Sequence, residues 1–176
     1  VFMNGASIGI ENKDKEITLN IRKTHYIYPM IKRIFDVLVS IISLIILSPI
    51  FLLIVLAIRI ESKGNAFYKH KRIGKNGQVI YLYKFRSMYS NSKEKLKDPK
   101  VRKEWEENFK LENDPRITKI GRVLRNTSLD ELPQLLNILN GDMSLVGPRP
   151  VIDSEIEKYG NEKDKFLSVT PGLTGW

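Results

Sequence analysis

From Val37 to Ile58 the chain runs for 22 residues without a charged side chain. At about 1.5 Å of rise per residue, a helix of that length extends roughly 33 Å, enough for the hydrocarbon core of a bilayer. Ser48-Pro49 lies near its middle. Proline withholds a backbone donor and its ring crowds the preceding turn, so the pattern predicts a kink or break that leaves arms of only about 16 Å each. Ser48 is placed to satisfy a carbonyl freed there. Lys32 and Arg33 precede the segment, and Arg59, Lys63, Lys69, Lys71 and Arg72 follow it. A helix that crosses a membrane is expected to be basic on one side only. Two arrangements stay open on these grounds: a re-entrant hairpin with both ends cytoplasmic, and a kinked helix that crosses. A signal peptide is excluded by the segment's length, its position and the lack of a small-residue cleavage site after it. Residues 1–28 are polar and mixed, and read as the tail of an upstream region plus a linker. Residues 29–62 are expected to form the membrane segment and 63–176 a separate domain.

The hydrophobic period then changes to two. AFYKHKRIGKNGQVIYLYKFRSM contains two β-rich runs joined through Asn76-Gly77, a pair that tolerates positive φ in a tight turn. Alternation in the second run places Tyr81, Tyr83 and Phe85 on one face, with the aromatics expected in the core, and Leu82, Lys84 and Arg86 on the other. Further on, Val101, Trp105 and Phe109 recur every four residues in the stretch 92–111, a narrow apolar stripe expected on a helix docked against the domain, the membrane interface being the alternative. After the turn signal Asn113-Asp114-Pro115, SLDELPQLLNIL carries Leu132, Leu135, Leu136 and Leu139 at helical spacing and stops at Asn140-Gly141. The expected fold is α+β and predominantly helical: a membrane helix that is re-entrant or crossing, a small β-hairpin and a further helical region carrying the acidic pair.

Charge sharpens this picture. Lys and Arg number 29 against 20 Asp and Glu, a formal net charge of +9, which calls for an anionic partner. From Arg59 to Arg86 there are eight basic residues and one acid, Glu61, and this block would lie at the headgroup level of a bilayer. With no cysteine, any metal must be held by oxygen or imidazole ligands. His25 and His70 are the only histidines, and His70 reads as a surface residue of a basic strand. Neither a phosphate loop of the GxxxxGK[ST] type nor a zinc-binding HExxH is present.

The chemistry centres on Asp130-Glu131. Taken alone, the pair is explained by the preference for acids in a first helical turn and by a capping box between Ser128 and Glu131. Its surroundings point elsewhere. Arg122 and Arg125 lie just upstream, Lys84 and Arg86 come from the basic strand, and Arg149 sits in Gly147-Pro148-Arg149-Pro150. Cations gathered around two carboxylates suit a phosphate group with a nucleophile beside it, and a divalent cation would offset the repulsion between carboxylates and a diphosphate.

KRIFD, the Ser48-Pro49 break, RIGKNG, KFRSM, DPRITKIGRVLR, TSLDELPQLLNILNGDMSLVGPRP and PGLTG occur in this order, and together resemble the bacterial sugar transferase family, the monotopic polyprenol-phosphate phosphoglycosyl transferases. The resemblance runs from about Ile31 to Trp176. It implies transfer of a sugar-1-phosphate from a UDP-sugar to polyprenol (undecaprenyl) phosphate with release of UMP. Asp130 would be the nucleophile and Glu131 would assist through Mg²⁺ or Mn²⁺, so that both carboxylates are metal ligands. Lys84, Arg125 and Arg149 would contact phosphate, and strand geometry adds Arg86. The resemblance also favours the re-entrant membrane helix hairpin at Ser48-Pro49, and it implies that 63–176 is a catalytic domain at the cytoplasmic face of the bacterial inner membrane, with a role in starting exopolysaccharide, O-antigen or capsule synthesis. Members usually continue beyond PGLTG, so further C-terminal residues are expected. The expected partners are the UDP-sugar, polyprenol phosphate and the bilayer, without nucleic acid; a homo-oligomer stays open, as does the identity of the sugar. The rival reading is a membrane-tethered basic module that binds nucleic acid or recruits partners, with Tyr81, Tyr83 and Phe85 as stacking platforms. It is weakened because aromatics and cations fall on opposite faces of the strand.

Overall fold

The computed structural model describes residues 4–95 and 114–175. It is mostly helical with two small sheets, in the order α1 (Asn4–Glu61), β1 (Phe67–Ile73), β2 (Val79–Phe85), α2 (Ser92–Lys95), α3 (Lys119–Asn126), α4 (Gln134–Asn140), β3 (Ser144–Val146), α5 (Asp153–Ile156), α6 (Lys163–Leu167) and β4 (Gly172–Thr174). Short 3₁₀ turns at Lys75–Gly77, Leu129–Glu131 and Glu157–Glu162 join several of these. The stripe of Val101, Trp105 and Phe109 lies outside the described residues.

The chain divides into two units, residues 1–39 and 40–176. In the first, α1 already begins at Asn4, upstream of the segment that hydropathy marks. Lys32 and Asp36, one turn apart, form an ion pair at 3.1 Å. The helix from Ile27 to Glu61 is long and apolar enough to cross a membrane.

The second unit opens with the remainder of α1. Pro49 has no N–H to offer the carbonyl of Ile45, four residues earlier, and Ser48 Oγ donates to that carbonyl at 2.8 Å. The backbone stays helical through both residues. One stripe of this stretch packs inward: Leu44 and Leu47 against the cluster of Ile80, Leu82, Leu135, Ile138 and Met143, and Phe51, Val55, Ile54 and Ile58 with Ala66, Phe85 and Leu124. Ile45, Ile46, Leu52, Leu53 and Leu56 remain exposed on the other sides.

β1 and β2 pair antiparallel, with Phe67 opposite Phe85 and Ile73 opposite Val79. Their connection takes positive φ at Asn76 (56°) and Gly77 (76°), as the Asn-Gly signal requires. The core assignment on β2 needs correction. Ile80 and Leu82 are buried, whereas Tyr81 is 53% exposed. Of the three aromatics only Phe85 is buried, stacked on Phe67 and edge-on to Phe51. The Ile80–Leu82 face is covered by α4 and α1, whereas on the other face α1 covers Phe85 and leaves Tyr81 exposed.

Two polar contacts tie the end of α1 to the rest of this unit. Glu61 accepts from the backbone N–H of Lys119 at 2.6 Å and of Ile120 at 2.9 Å, satisfying orphan donors at the start of α3 beside the Thr118 cap. Arg86 donates in the other direction, to the carbonyls of Ser62 (2.6 Å) and Lys63 (3.0 Å) and to Ser62 Oγ (2.8 Å) just past the end of α1.

Candidate active site

The predicted helix around the acidic pair is two elements. Pro133 lacks the N–H a continuous α-helix would use, and it stands as the N-cap of α4; Leu129–Glu131 form a separate 3₁₀ turn in front. Ser128 enters that turn in the left-handed region (φ 57°) and makes no side-chain cap. The capping box between Ser128 and Glu131 is therefore absent, and so is the longer helix whose dipole would have faced Asp130. Glu131 instead turns to the strand, where its Oε1 accepts from Lys84 Nζ at 2.6 Å. The predicted stop is present, with Gly141 at φ 92° closing α4.

Asn137, fully buried on α4, holds the turn's helix against β2. Its Oδ1 accepts from Tyr83 N–H at 2.9 Å, and its Nδ2 donates to the Tyr81 carbonyl at 2.8 Å and to Asp142 at 3.1 Å. A side chain thus replaces a neighbouring strand on the free edge of β2, and sets Lys84 opposite the acidic turn.

A cleft of about 330 Å³ opens here, lined by Arg72, Lys84, Glu131, Gln134 and Arg149, with Leu82, Pro150 and the Gly172–Gly175 segment forming its remaining walls. Arg149 is carried by a loop pinned on both sides. Ile73 N–H donates to the Val151 carbonyl at 2.8 Å, and the parallel pair β3–β4 brings Gly172 N–H to the Pro148 carbonyl at 2.9 Å and Gly147 N–H to the Thr174 carbonyl at 3.0 Å. Glycine is needed at 172 because a Cβ there would collide with the backbone of Gly147.

Asp130 is half-buried beside this cleft without lining it. Burial pushes its carboxyl above the ordinary value, with Glu131 adding to the rise while Lys84 and Arg125 pull it down. Arg125 itself is exposed, and its Nε donates to Ser87 Oγ at 2.8 Å. The structure therefore brings Lys84, Glu131 and Arg149 together around one cleft and sets Asp130 and Arg125 next to it. Arg86 is not with them. Alternation with Lys84 ends where β2 ends, at Phe85, and the Arg86 guanidinium is occupied by the carbonyls after α1. Ser48 and Pro49 belong to α1. Sequence reasoning missed Arg72 and Gln134; the β1 register, which faces Arg72 to Ile80, is the signal that could have found the arginine.

Among the described residues no group of three or more His, Cys, Asp or Glu side chains is placed to hold a metal alone. Two adjacent carboxylates beside a cleft nevertheless suit magnesium, which is bound by one or two carboxylates and completes its shell with water and substrate phosphate oxygens.

The arrangement gathers three basic side chains around one cleft with a carboxylate pair at its edge, in a chain that carries a helix long and apolar enough to cross a membrane. The family model for bacterial sugar transferases matches residues 27–176, and the chain belongs to that family. It is 53% identical to the undecaprenyl-phosphate galactose phosphotransferase of Salmonella typhimurium (strain LT2) over 82% of this chain and 31% of that protein. It is 49% identical to the exopolysaccharide production protein ExoY of Sinorhizobium fredii over 82% of this chain and 66% of that protein. Identity to the UDP-glucose:undecaprenyl-phosphate glucose-1-phosphate transferase of Escherichia coli (strain K12) is 37%, over 84% of this chain and 30% of that protein. The chain thus spans from about a third to two thirds of the length of these relatives.

Proposed function

We propose that the protein transfers a sugar-1-phosphate from a UDP-sugar to undecaprenyl phosphate in two steps. A carboxylate oxygen of Asp130 attacks the phosphorus that bears the sugar; the bond from that phosphorus to the bridging oxygen breaks, and UMP leaves with the electron pair. An oxygen of the polyprenol phosphate then attacks the same phosphorus and expels Asp130 as a carboxylate, so the sugar ends on a polyprenol diphosphate. The observation that carries this reading is the Lys84–Glu131 pair at the mouth of a cationic cleft beside the half-buried Asp130. Lys84 and Arg149 bind phosphate oxygens, and Arg125 offsets charge at Asp130. Asp130 and Glu131 would hold magnesium or manganese, which when bound offsets the charge of the diphosphate. Relatives named for galactose and for glucose both match this region, so membership of the family does not fix the sugar.

The deciding experiment incubates full-length protein with a panel of UDP-sugars and no carrier. About one equivalent of UMP and a labelled protein are expected, with ping-pong kinetics once the carrier is added. Asp130→Asn should abolish both. A sequential kinetic pattern with no trappable labelled species would reassign Asp130 to metal binding. The same reading places α1 in the inner membrane as a re-entrant helix bent at Ser48-Pro49, with the site at the cytoplasmic face. Single-cysteine probes before Ile34 and after Arg59 should then report the same compartment; opposite compartments would make the helix a crossing one.

A further inference from the structure

One pair on the cleft face of the hairpin has no part in that scheme. Tyr68, His70 and Arg72 alternate onto one face of β1, where their register partners on β2 are Lys84, Leu82 and Ile80. Arg72 lines the cleft, and its Nη1 lies 2.8 Å from Nε2 of His70. A guanidinium can only donate. The contact therefore requires Nε2 to accept, which puts the imidazole proton on Nδ1 and leaves the ring neutral. The environment favours that form. Burial lowers the tendency of His70 to take a second proton, and the cations facing it, Arg72 on its own strand and Lys84 on β2, lower it further. The Tyr68 ring stands on the other side, 5.8 Å from that of His70. Nη1 of Arg72 also donates to the Lys71 carbonyl at 3.3 Å. One end of the fork is thus committed to β1, and the adjoining Ile73–Val151 bridge fixes Arg72 in relation to the loop that carries Arg149.

We propose that Arg72 contacts a phosphate oxygen in the cleft and that His70, as a neutral Nε2 acceptor, is the positioning residue that holds its guanidinium there. This rests on the phosphoryl-transfer reading above and adds to it an arginine with its support. The phosphate is that of the nucleotide sugar or that of the lipid carrier, and kinetics separate the two.

In full-length protein, Arg72→Ala should raise the KM for one of the two substrates by roughly 10- to 100-fold, the scale of a lost charge-assisted contact. The substrate affected identifies the phosphate. His70→Ala should raise the same KM and leave the other near its original value. His70→Gln, whose amide oxygen can accept in place of Nε2, should restore most of the loss, which a general packing defect would not do. Nitrogen-15 spectra of the wild type should show the Nδ1-protonated tautomer. An Nε2-protonated ring, an Arg72→Ala variant with both KM values unchanged, or a His70→Gln variant as impaired as His70→Ala would overturn the proposal. If the wild type releases no UMP from any UDP-sugar, the phosphoryl-transfer reading itself fails. Calorimetric binding of inorganic pyrophosphate then decides the anion site: loss in Arg72→Ala and His70→Ala with retention in His70→Gln supports it, and equal binding in all variants overturns it.

Discussion

Asn137→Ala should cost the protein more than its small change in volume implies. The side chain is fully buried and serves two backbone groups on the edge of β2, the Tyr83 N–H and the Tyr81 carbonyl. Truncation leaves both unpartnered in a partly buried setting. Each such group costs about 1–2 kcal/mol, so the sum is about 3 kcal/mol, to which the vacated space adds a little. Chemical unfolding of the detergent-solubilised protein measures it, and the Tyr83 amide should lose its hydrogen-exchange protection. Asn137→Asp is the control of matched shape. A carboxylate still accepts from Tyr83, but it cannot donate to the Tyr81 carbonyl and it repels Asp142, its partner at 3.1 Å in the wild type. It should be destabilised at neutral pH and recover as acid returns a donor proton. Because β2 carries Lys84 and the neighbouring turn carries Glu131, turnover should fall along with stability. A loss below about 0.5 kcal/mol for Asn137→Ala would show that water or a shifted backbone replaces these bonds, and that Asn137 does not set the distance between strand and turn.

Arg149→Ala, at an exposed position, should lower turnover strongly without shifting the unfolding midpoint, and Arg149→Lys should recover only part of it; unchanged turnover would remove Arg149 from the site. Gly172→Ala should cost about 2 kcal/mol by forcing β4 off Gly147, and should lower activity by moving the Arg149 loop, read by paired unfolding and UMP-release assays. Asp114→Asn breaks a charge pair with Arg116 in which both side chains are about 90% buried (8% and 10% exposed), and should cost about 3 kcal/mol at neutral pH. Burial alone would raise the Asp114 carboxyl, but hydrogen bonds and charge from Arg116 hold it below its ordinary value. Its stabilisation is thus present above pH 3.8 and lost as pH falls through the depressed folded value, so the deficit of the variant should vanish in acid. Asp130→Asn should behave oppositely. The folded pKa of Asp130 is raised, so the native state is penalised above that value, and the variant should melt higher than the wild type at neutral pH with a difference that disappears below pH 3.8.

The long apolar helix and the β-hairpin were legible because each carries a sustained period, 22 uncharged residues in one case and alternation about Asn76-Gly77 in the other. The stop at Gly141 was legible for a local reason, the positive φ that glycine adopts freely. The entry to α4 was not. Ser128 and Glu131 match a capping box in sequence, yet Pro133 forces a separate turn and Lys84, distant in the chain, takes the glutamate. Arg86 was misplaced because alternation was carried one residue beyond the strand. The strands β3 and β4 are three residues each, too short to show a period, and their pairing depends on Gly147 and Gly172 lying back to back. Lys84, Glu131 and Arg149, which share one cleft, stand out by residue type and context, whereas Arg72 needed the register of β1.

Only residues 62–66 separate α1 from β1, and Arg86 occupies the carbonyls of two of them while Glu61 is spent on α3. There is no slack in that joint. A change in the depth or tilt of the last turns of α1 should therefore move the hairpin with it, because the connection is short and its carbonyls are held by Arg86. If α1 lies in the bilayer as proposed, bilayer thickness and lateral pressure would reach Lys84 and the acidic turn as mechanical inputs. Inserting a few glycines after Ser62 should uncouple the two and remove any dependence of the reaction rate on lipid chain length.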